Sequence, residues 1–287
     1  MSDSLSIERL KAIFAELARV MAENFQLLTD LDAVAGDGDL GITTSKGFAA
    51  ANKAAHEYAD KDAGRLLLLA GMAIAREAPS TLGTLLASGF MKGAKEVTGM
   101  ESLPLPATVR MMDGFVRGIM ERGKAQQGDK TIIDALFPAV EALRAAEPNS
   151  SLAEAWATAL SAAEAGLQNT KQMRAVHGRA AYRGENSIGM VDPGATVGVL
   201  LVRVFAELRL GNSWVSVDLS VADQQGSDRA FGMWNRRSVA PPLSRCGSVV
   251  RPLHRASEEA TGRLGSSSVC HLHLNHGSPL RPATIGC

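Results

Sequence analysis

An all-α bundle or barrel is the fold class that the sequence predicts for its first 209 residues, on three observations. Apolar residues recur at three- and four-residue steps through eight successive segments. Clusters rich in Gly, Pro, Asp or Asn separate those segments, as helix stops and starts require. The two windows richest in β-branched residues, around Val97 and Val197, do not alternate with period two, so neither reads as a strand.

The first helix begins after Ser6, an N-cap, and carries Leu10, Ile13, Phe14, Leu17, Val20, Met21 and Leu28 on one stripe, ending near an acidic loop. Helical patterning continues at about 43–58, 64–77, 81–97, 108–122, 131–146, 151–172 and 194–210. The breaks between them include Asp60-Lys61-Asp62, the stretch from Gly99 to Pro106, Glu147-Pro148-Asn149, and a glycine-rich stretch from Gly178 to Gly194. Pro138 falls inside a helical pattern and is expected to kink or break it.

At Leu210 the composition changes. Residues 211–287 contain no Lys but eight Arg, twelve Ser, five Pro, four of the six His and all three Cys, and helical periodicity is lost. Cys270-His271-Leu272-His273 with His276 fits no zinc-ligand spacing. An irregular or disordered tail and an out-of-frame readout of GC-rich coding sequence both match this composition. The expected organisation is therefore one domain over residues 1–210 and a tail over 211–287.

The chain has 287 residues, 46% of them hydrophobic, which is enough for a sizeable core. Thirty basic residues balance thirty acidic ones, so no basic field exists to recruit nucleic acid or an anionic membrane. The start, MSDSLSIERLKAIF, reads as an amphipathic helix and not as a signal peptide. The apolar run from Leu66 to Ala75 is about ten residues long, against roughly 20 needed to span a bilayer. Residues 1–209 contain no Cys, which fits a reducing cytoplasm.

The stretch LDAVAGDGDLG, residues 31–41, places Asp32, Asp37 and Asp39 within eight residues and separates them with Gly36 and Gly38. Glycine lets such a loop turn tightly, so that the acids can fold inward on one point. Three converging carboxylates suit a hard cation such as Mg²⁺, which shares its octahedron with waters and phosphates. The spacing alone fits a glycine-rich turn with solvated acids equally well.

Four further clusters stand at helix starts or in loops. Pro79-Ser80-Thr81-Leu82-Gly83-Thr84 feeds a helix whose free N–H groups and dipole suit a phosphate, although Ser and Thr are also ordinary caps. Gly128-Asp129-Lys130-Thr131 opens another helix, with Asp129 read as its cap and Lys130 as a solvated side chain. The segment holding Gly178, Arg179, Tyr182, Gly184, Glu185, Ser187 and Gly189 is too long and glycine-rich for a simple connector. Asp192-Pro193-Gly194-Ala195 starts the last helix, with Pro193 in the first turn and Asp192 as a cap.

Taken in order, LDAVAGDGDLG, GDKTIIDAL with PAV after it, GRAAYRGENSIG and DPGAT resemble the nucleotide-binding domain, or L subunit, of dihydroxyacetone kinases. The resemblance covers about residues 5–209. It implies an antiparallel barrel of eight amphipathic helices with a nucleotide pocket at one end. It also implies two Mg²⁺ ions held by Asp32, Asp37 and Asp39, bridging the phosphates of ADP or ATP. The nucleotide would contact the turn Leu40, Gly41, Ile42 and Thr43, then Thr81 and Leu82, and then Gly123 and Ile132. Arg179 and the Asp192-Pro193-Gly194 turn would close the pocket. No catalytic side chain beyond these metal and phosphate ligands is implied, and neither a Walker sequence nor a protein-kinase lysine motif is present.

Two positions depart from the family pattern. Leu40 stands where members often carry His, and Pro79-Ser80-Thr81-Leu82-Gly83 replaces a Gly-Gly-Ala-Ser-Gly turn. The resemblance implies a divergent phosphoryl-transferring subunit of a ketose kinase, acting on glycerone or a related sugar such as a tetrulose. It further implies a separate K-type subunit that holds the ketose, a homodimer, and either ATP or a phosphotransferase-system phosphocarrier as donor. A non-catalytic regulatory module that binds nucleotide and a transcription regulator is the alternative.

Overall fold

The structure is a computed structural model that describes residues 4–147 and 150–207. The expected boundary at residue 210 and the tail over 211–287, with its Cys and His cluster, lie outside the described residues. Nine α-helices make up most of the described residues: α1 (Ile7–Glu23), α2 (Phe25–Ala35), α3 (Leu40–Glu57), α4 (Ala63–Glu77), α5 (Thr81–Lys95), α6 (Leu105–Gly123), α7 (Ile133–Arg144), α8 (Leu152–Asn169) and α9 (Pro193–Glu207).

Side-chain caps set several of the starts. The hydroxyls of Ser6, Ser80 and Ser151 and the carboxylate of Asp62 each accept a backbone N–H from the first turn that follows. Ser151 and Glu154 satisfy one another's backbone donors as a capping box. The segment expected as one opening helix is divided at Asn24, whose backbone N–H and side-chain amide both donate to the Val20 carbonyl. That division makes nine helices where eight were expected. The helix expected from residue 43 begins at Leu40, and the one expected over 151–172 ends at Asn169 and continues as a 3-10 turn, Thr170–Gln172. Pro138 does not break α7, which runs continuously from Ile133 to Arg144.

Two short strands accompany the helices: β1 (Ser4–Ser6) pairs antiparallel with β2 (Ser102–Pro104), Leu5 opposite Leu103. Three residues each are too few to show period-two alternation, which is why the sequence pattern shows no strand there.

Packing follows chain order. Helix α1 packs on α3, α3 on α4, and so on through α9, which returns to α1 and closes a ring of eight; α2 packs on α3 and α9. Neighbours joined by short connections run antiparallel. The aromatic rings of Phe14, Phe48 and Phe115 surround Phe90, with centroids 5.5, 6.3 and 4.9 Å away, so α1, α3, α5 and α6 share one cluster. Across the ring, Trp156 of α8 stacks on Phe205 of α9 at 4.6 Å. No helix among the described residues is long and apolar enough to cross a membrane.

Alternation around the ring has a functional consequence. The N-termini of α3, α5, α7 and α9 and the C-termini of α1, α4, α6 and α8 fall at one end, and the sequence clusters singled out above sit there.

Candidate functional site

The acidic loop is shaped by close approach. Helix α2 stops at Ala35, and the Gly36 N–H turns back to the Asp32 carbonyl. A Cβ on Gly36 would come within 2.5 Å of the Asp32 carboxylate, so glycine there leaves room for that carboxylate to lie over the turn. Gly38 sits at φ +74°, in the left-handed region that favours glycine. A Cβ on Gly41 would collide with the Phe25 carbonyl and the Thr29 hydroxyl. The first turn of α3 can therefore lie directly on α2, bringing the two ends of the loop together.

One carboxylate oxygen from each of Asp32, Asp37 and Asp39 lies within 4.8 Å of the others. Asp39 occupies the N-cap position of α3, but its side chain makes no capping bond and stays with the cluster. Partial burial raises its pKa above the ordinary carboxylate value, the charges of Asp37 and Asp32 raise it further, and Arg179 opposes both. Arg179 reaches over from the α8–α9 connection to pair with Asp37 at 2.6 Å. One guanidinium against three carboxylates leaves an excess of negative charge on hard oxygen donors. That donor set fits Mg²⁺.

The remaining candidates flank this cluster. Leu40, Gly41 and Thr43 are buried in the first turn of α3, while the Ile42 side chain is exposed. Thr81 and Leu82 form the first turn of α5 after the Ser80 cap. Gly123 closes α6 against Leu85 of α5, where a Cβ would come 3.0 Å from a Leu85 methyl. Ile132 is buried just before α7, and Gly194 packs against its backbone, leaving 3.2 Å between a Cβ there and the Ile132 nitrogen. Pro193 is the buried first residue of α9, and the Asp192 carboxylate accepts the Ala195 N–H at 2.7 Å, as its expected capping role requires. The structure thus joins the three acids with Arg179, Gly123 with the α5 start, and Ile132 with the Asp192 turn. Topology places these three groups at the same end of the ring.

Around Gly128 to Thr131 the sequence expectation is overturned. Asp129 does not cap α7: the Thr131 hydroxyl accepts the Ile133 N–H at 3.2 Å, while the Asp134 carboxylate holds the preceding loop by accepting the N–H groups of Gly128 and Thr131 at 2.6 and 2.7 Å. Asp129 instead accepts the Gln126 N–H and pairs with His177 at 3.0 Å. Lys130, expected in solvent, is buried at 3% exposure and bonded to main-chain carbonyls 40 to 60 residues away. No local signal could have revealed those partners.

Known proteins resemble this chain in sequence and in fold. Residues 34–207 match the DAK2 domain family. The ADP-binding subunit DhaL of the PEP-dependent dihydroxyacetone kinase of Escherichia coli K12 is 35% identical, over 71% of this chain and 97% of that subunit. The L-erythrulose 1-kinase of Mycolicibacterium smegmatis is 34% identical over 68% of this chain, which spans only 34% of that longer enzyme. Among solved structures, the dihydroxyacetone kinase of C. freundii in complex with AMP-PNP and Mg²⁺ superposes with a TM-score of 0.56. Its identity is 23%, covering 69% of this chain and 33% of that one, which is a likeness of fold.

Proposed function

Since the chain belongs to the DAK2 domain family, we propose that it is the nucleotide-binding, phosphoryl-transferring part of a dihydroxyacetone-type ketose kinase, with its domain ending near residue 210. The observation that carries this reading is the convergence of Asp32, Asp37 and Asp39 within 4.8 Å beside Arg179. Phosphoryl transfer asks a protein mainly for charge neutralisation and in-line positioning, and this end of the ring offers groups for both.

In this reading Asp32, Asp37 and Asp39 hold two Mg²⁺ ions, which when bound would neutralise phosphate oxygens and orient them. The first turn of α5, with Thr81 and Leu82, presents free N–H groups and a positive dipole end to the phosphates. Arg179 adds a guanidinium for the charge that spreads over the transferring group. Gly41, Ile42 and Thr43 with Leu40 line the pocket from α3, Gly123 and Ile132 line its far side, and Asp192, Pro193 and Gly194 close it.

The ketose is held by a separate K-type partner in this reading, which the naming of the E. coli relative as an ADP-binding subunit of its kinase supports. The name of the E. coli relative, PEP-dependent and ADP-binding, supports a bound ADP with PEP as the ultimate phosphoryl source, for which a phosphotransferase-system carrier is the donor in this reading, and that of the mycobacterial one supports a tetrulose as acceptor. ATP as direct donor is the other arm of the test. The purified chain is assayed with dihydroxyacetone and with erythrulose, with ATP or a phosphorylated carrier protein, with and without the K-type protein of the same genome. No turnover alone and turnover with the partner is the expected pattern. Robust ketone phosphorylation by this chain alone would overturn it, and silence under every condition would favour the regulatory module.

A further inference from the structure

Lys130 sits just before α7 with its backbone in the left-handed region, φ +60°, which a lysine adopts only when the surroundings hold it there. Its ammonium donates to four main-chain carbonyls: Thr170 at 2.8 Å, Met173 at 3.2 Å, Ser187 at 2.6 Å and Met190 at 2.7 Å. Three N–H bonds are thus shared among four oxygens, in the manner of a small cation in a carbonyl cage. Burial disfavours the charged form and lowers the pKa, and the charge of Asp192 opposes that loss.

The positions of the four carbonyls give the cage its meaning. Two precede Arg179 in the chain and two follow it. The cation therefore pins both ends of the α8–α9 connection, while the middle of that connection carries Arg179 to Asp37. Secondary ties reinforce the base: Gly189 N–H to the Lys171 carbonyl at 2.7 Å, and Ala175 N–H to the Ser187 hydroxyl at 2.9 Å. The Val176 N–H reaches the carbonyl of Asp129, the residue before the lysine. Beyond Gly178 the connection is two short 3-10 turns over Arg179–Ser187, parted by Gly184 at φ +55°, with Tyr182 fully outward. Little packing holds that outer part. Without the cation, the half-buried Met173 and Met190 carbonyls would lose their partner, those of Thr170 and Ser187 would keep only the Met173 and Met190 N–H groups, and four carbonyl dipoles pointing at one another would open the base to water.

We propose that Lys130 is a positioning residue for the phosphoryl-transfer site: caged by the four carbonyls, it locks the base of the α8–α9 connection and thereby sets Arg179 against the acidic cluster. What Arg179 then does rests on the function proposed above, but the locking does not.

Two variants test it. Lys130→Met keeps the length without the charge; Lys130→Gly removes the side chain, suits the positive φ and leaves a space for an added amine. Amide hydrogen exchange is measured on the free protein, and Mg²⁺-ADP affinity by calorimetry. In both variants, exchange over residues 171–190 should quicken at least tenfold while that of α1, α4 and α5 stays as in the parent. Affinity should fall about tenfold, and ethylammonium should restore slow exchange to Lys130→Gly but not to Lys130→Met. In an Arg179→Ala background, Lys130→Met should cost no further affinity.

Unchanged exchange over 171–190 in a folded variant would overturn the proposal. So would an undiminished effect in the Arg179→Ala background, or global unfolding of both variants, which would make the cage a requirement of the whole fold. If the parent chain fails to bind Mg²⁺-ADP at all, the functional reading falls, while the exchange and amine-rescue results still decide the locking.

Discussion

Asp192 shows how much one buried acid can contribute to the behaviour of this end of the molecule. Burial pushes its carboxyl up to about 7, opposed by the Ala195 N–H; the charge of Asp134 raises it further, and Lys130 and the Gly194 N–H oppose. The unfolded chain releases this proton near the ordinary 3.8, so between roughly pH 4 and 7 the folded state binds more protons. Stability contributed by this group is therefore largest below pH 4, falls as pH rises towards 7, and is flat beyond. Asp192→Asn keeps an acceptor for the Ala195 N–H but does not titrate. Thermal melts of parent and variant from pH 4 to 8 should show the parent losing stability relative to the variant across that window; parallel curves would refute it. The residue scale also divides what sequence shows from what it hides. Asp32, Asp37 and Asp39 are legible because glycines at fixed neighbouring positions leave their carboxylates room to converge. Lys130 is illegible, because its partners lie 40 or more residues away and are backbone atoms, which carry no residue signature. Asp134 was missed for a related reason: its carboxylate reaches back from α7 to accept the N–H groups of Gly128 and Thr131, while Asp129 is drawn off to His177.

Among the elements, α7 and α8 make the most constrained contact. Pro138 has no N–H to offer the Asp134 carbonyl one turn earlier, and α8 approaches that carbonyl at Gly166. A Cβ on Gly166 would collide with the Asp134 oxygen and come 3.0 Å from Pro138 Cγ. In an isolated helix Gly→Ala gains about 1 kcal/mol. Here overpacking against backbone costs about 1–3 kcal/mol, and the collision with an immovable carbonyl puts the cost at the upper end. Gly166→Ala should therefore lower stability by about 1–2 kcal/mol, read from urea unfolding at unchanged slope, and a stabilised variant would show that the two helices are free to separate. Most helices were legible because apolar stripes and caps agree: Ser6, Ser80, Asp62 and Ser151 each stand where a stripe begins. The break at Asn24 was not, since the stripe continues past it to Leu28 while the backbone turns. Nor was continuity through Pro138, because proline within the first two turns of a helix sacrifices only one bond, which close packing with α8 outweighs.

At the scale of the molecule, the ring of eight helices is what turns separate sequence clusters into one site. Four helix starts and four helix ends of the ring meet at one end because neighbours alternate in direction. The site there holds more negative charge than its single guanidinium offsets, and that imbalance is the physical basis of the metal and nucleotide reading. Ring order could not be read from periodicity, which reports each helix's buried face but not its neighbour; the family resemblance supplied it. The most direct test of the central claim is calorimetric titration of ADP with Mg²⁺ into the parent chain and into Asp37→Asn, which keeps the side chain's size and removes one charge. The account predicts that the parent binds only with Mg²⁺ present and that the variant's Kd rises tenfold or more, at least about 1.4 kcal/mol. Equal affinity in the two proteins would contradict it.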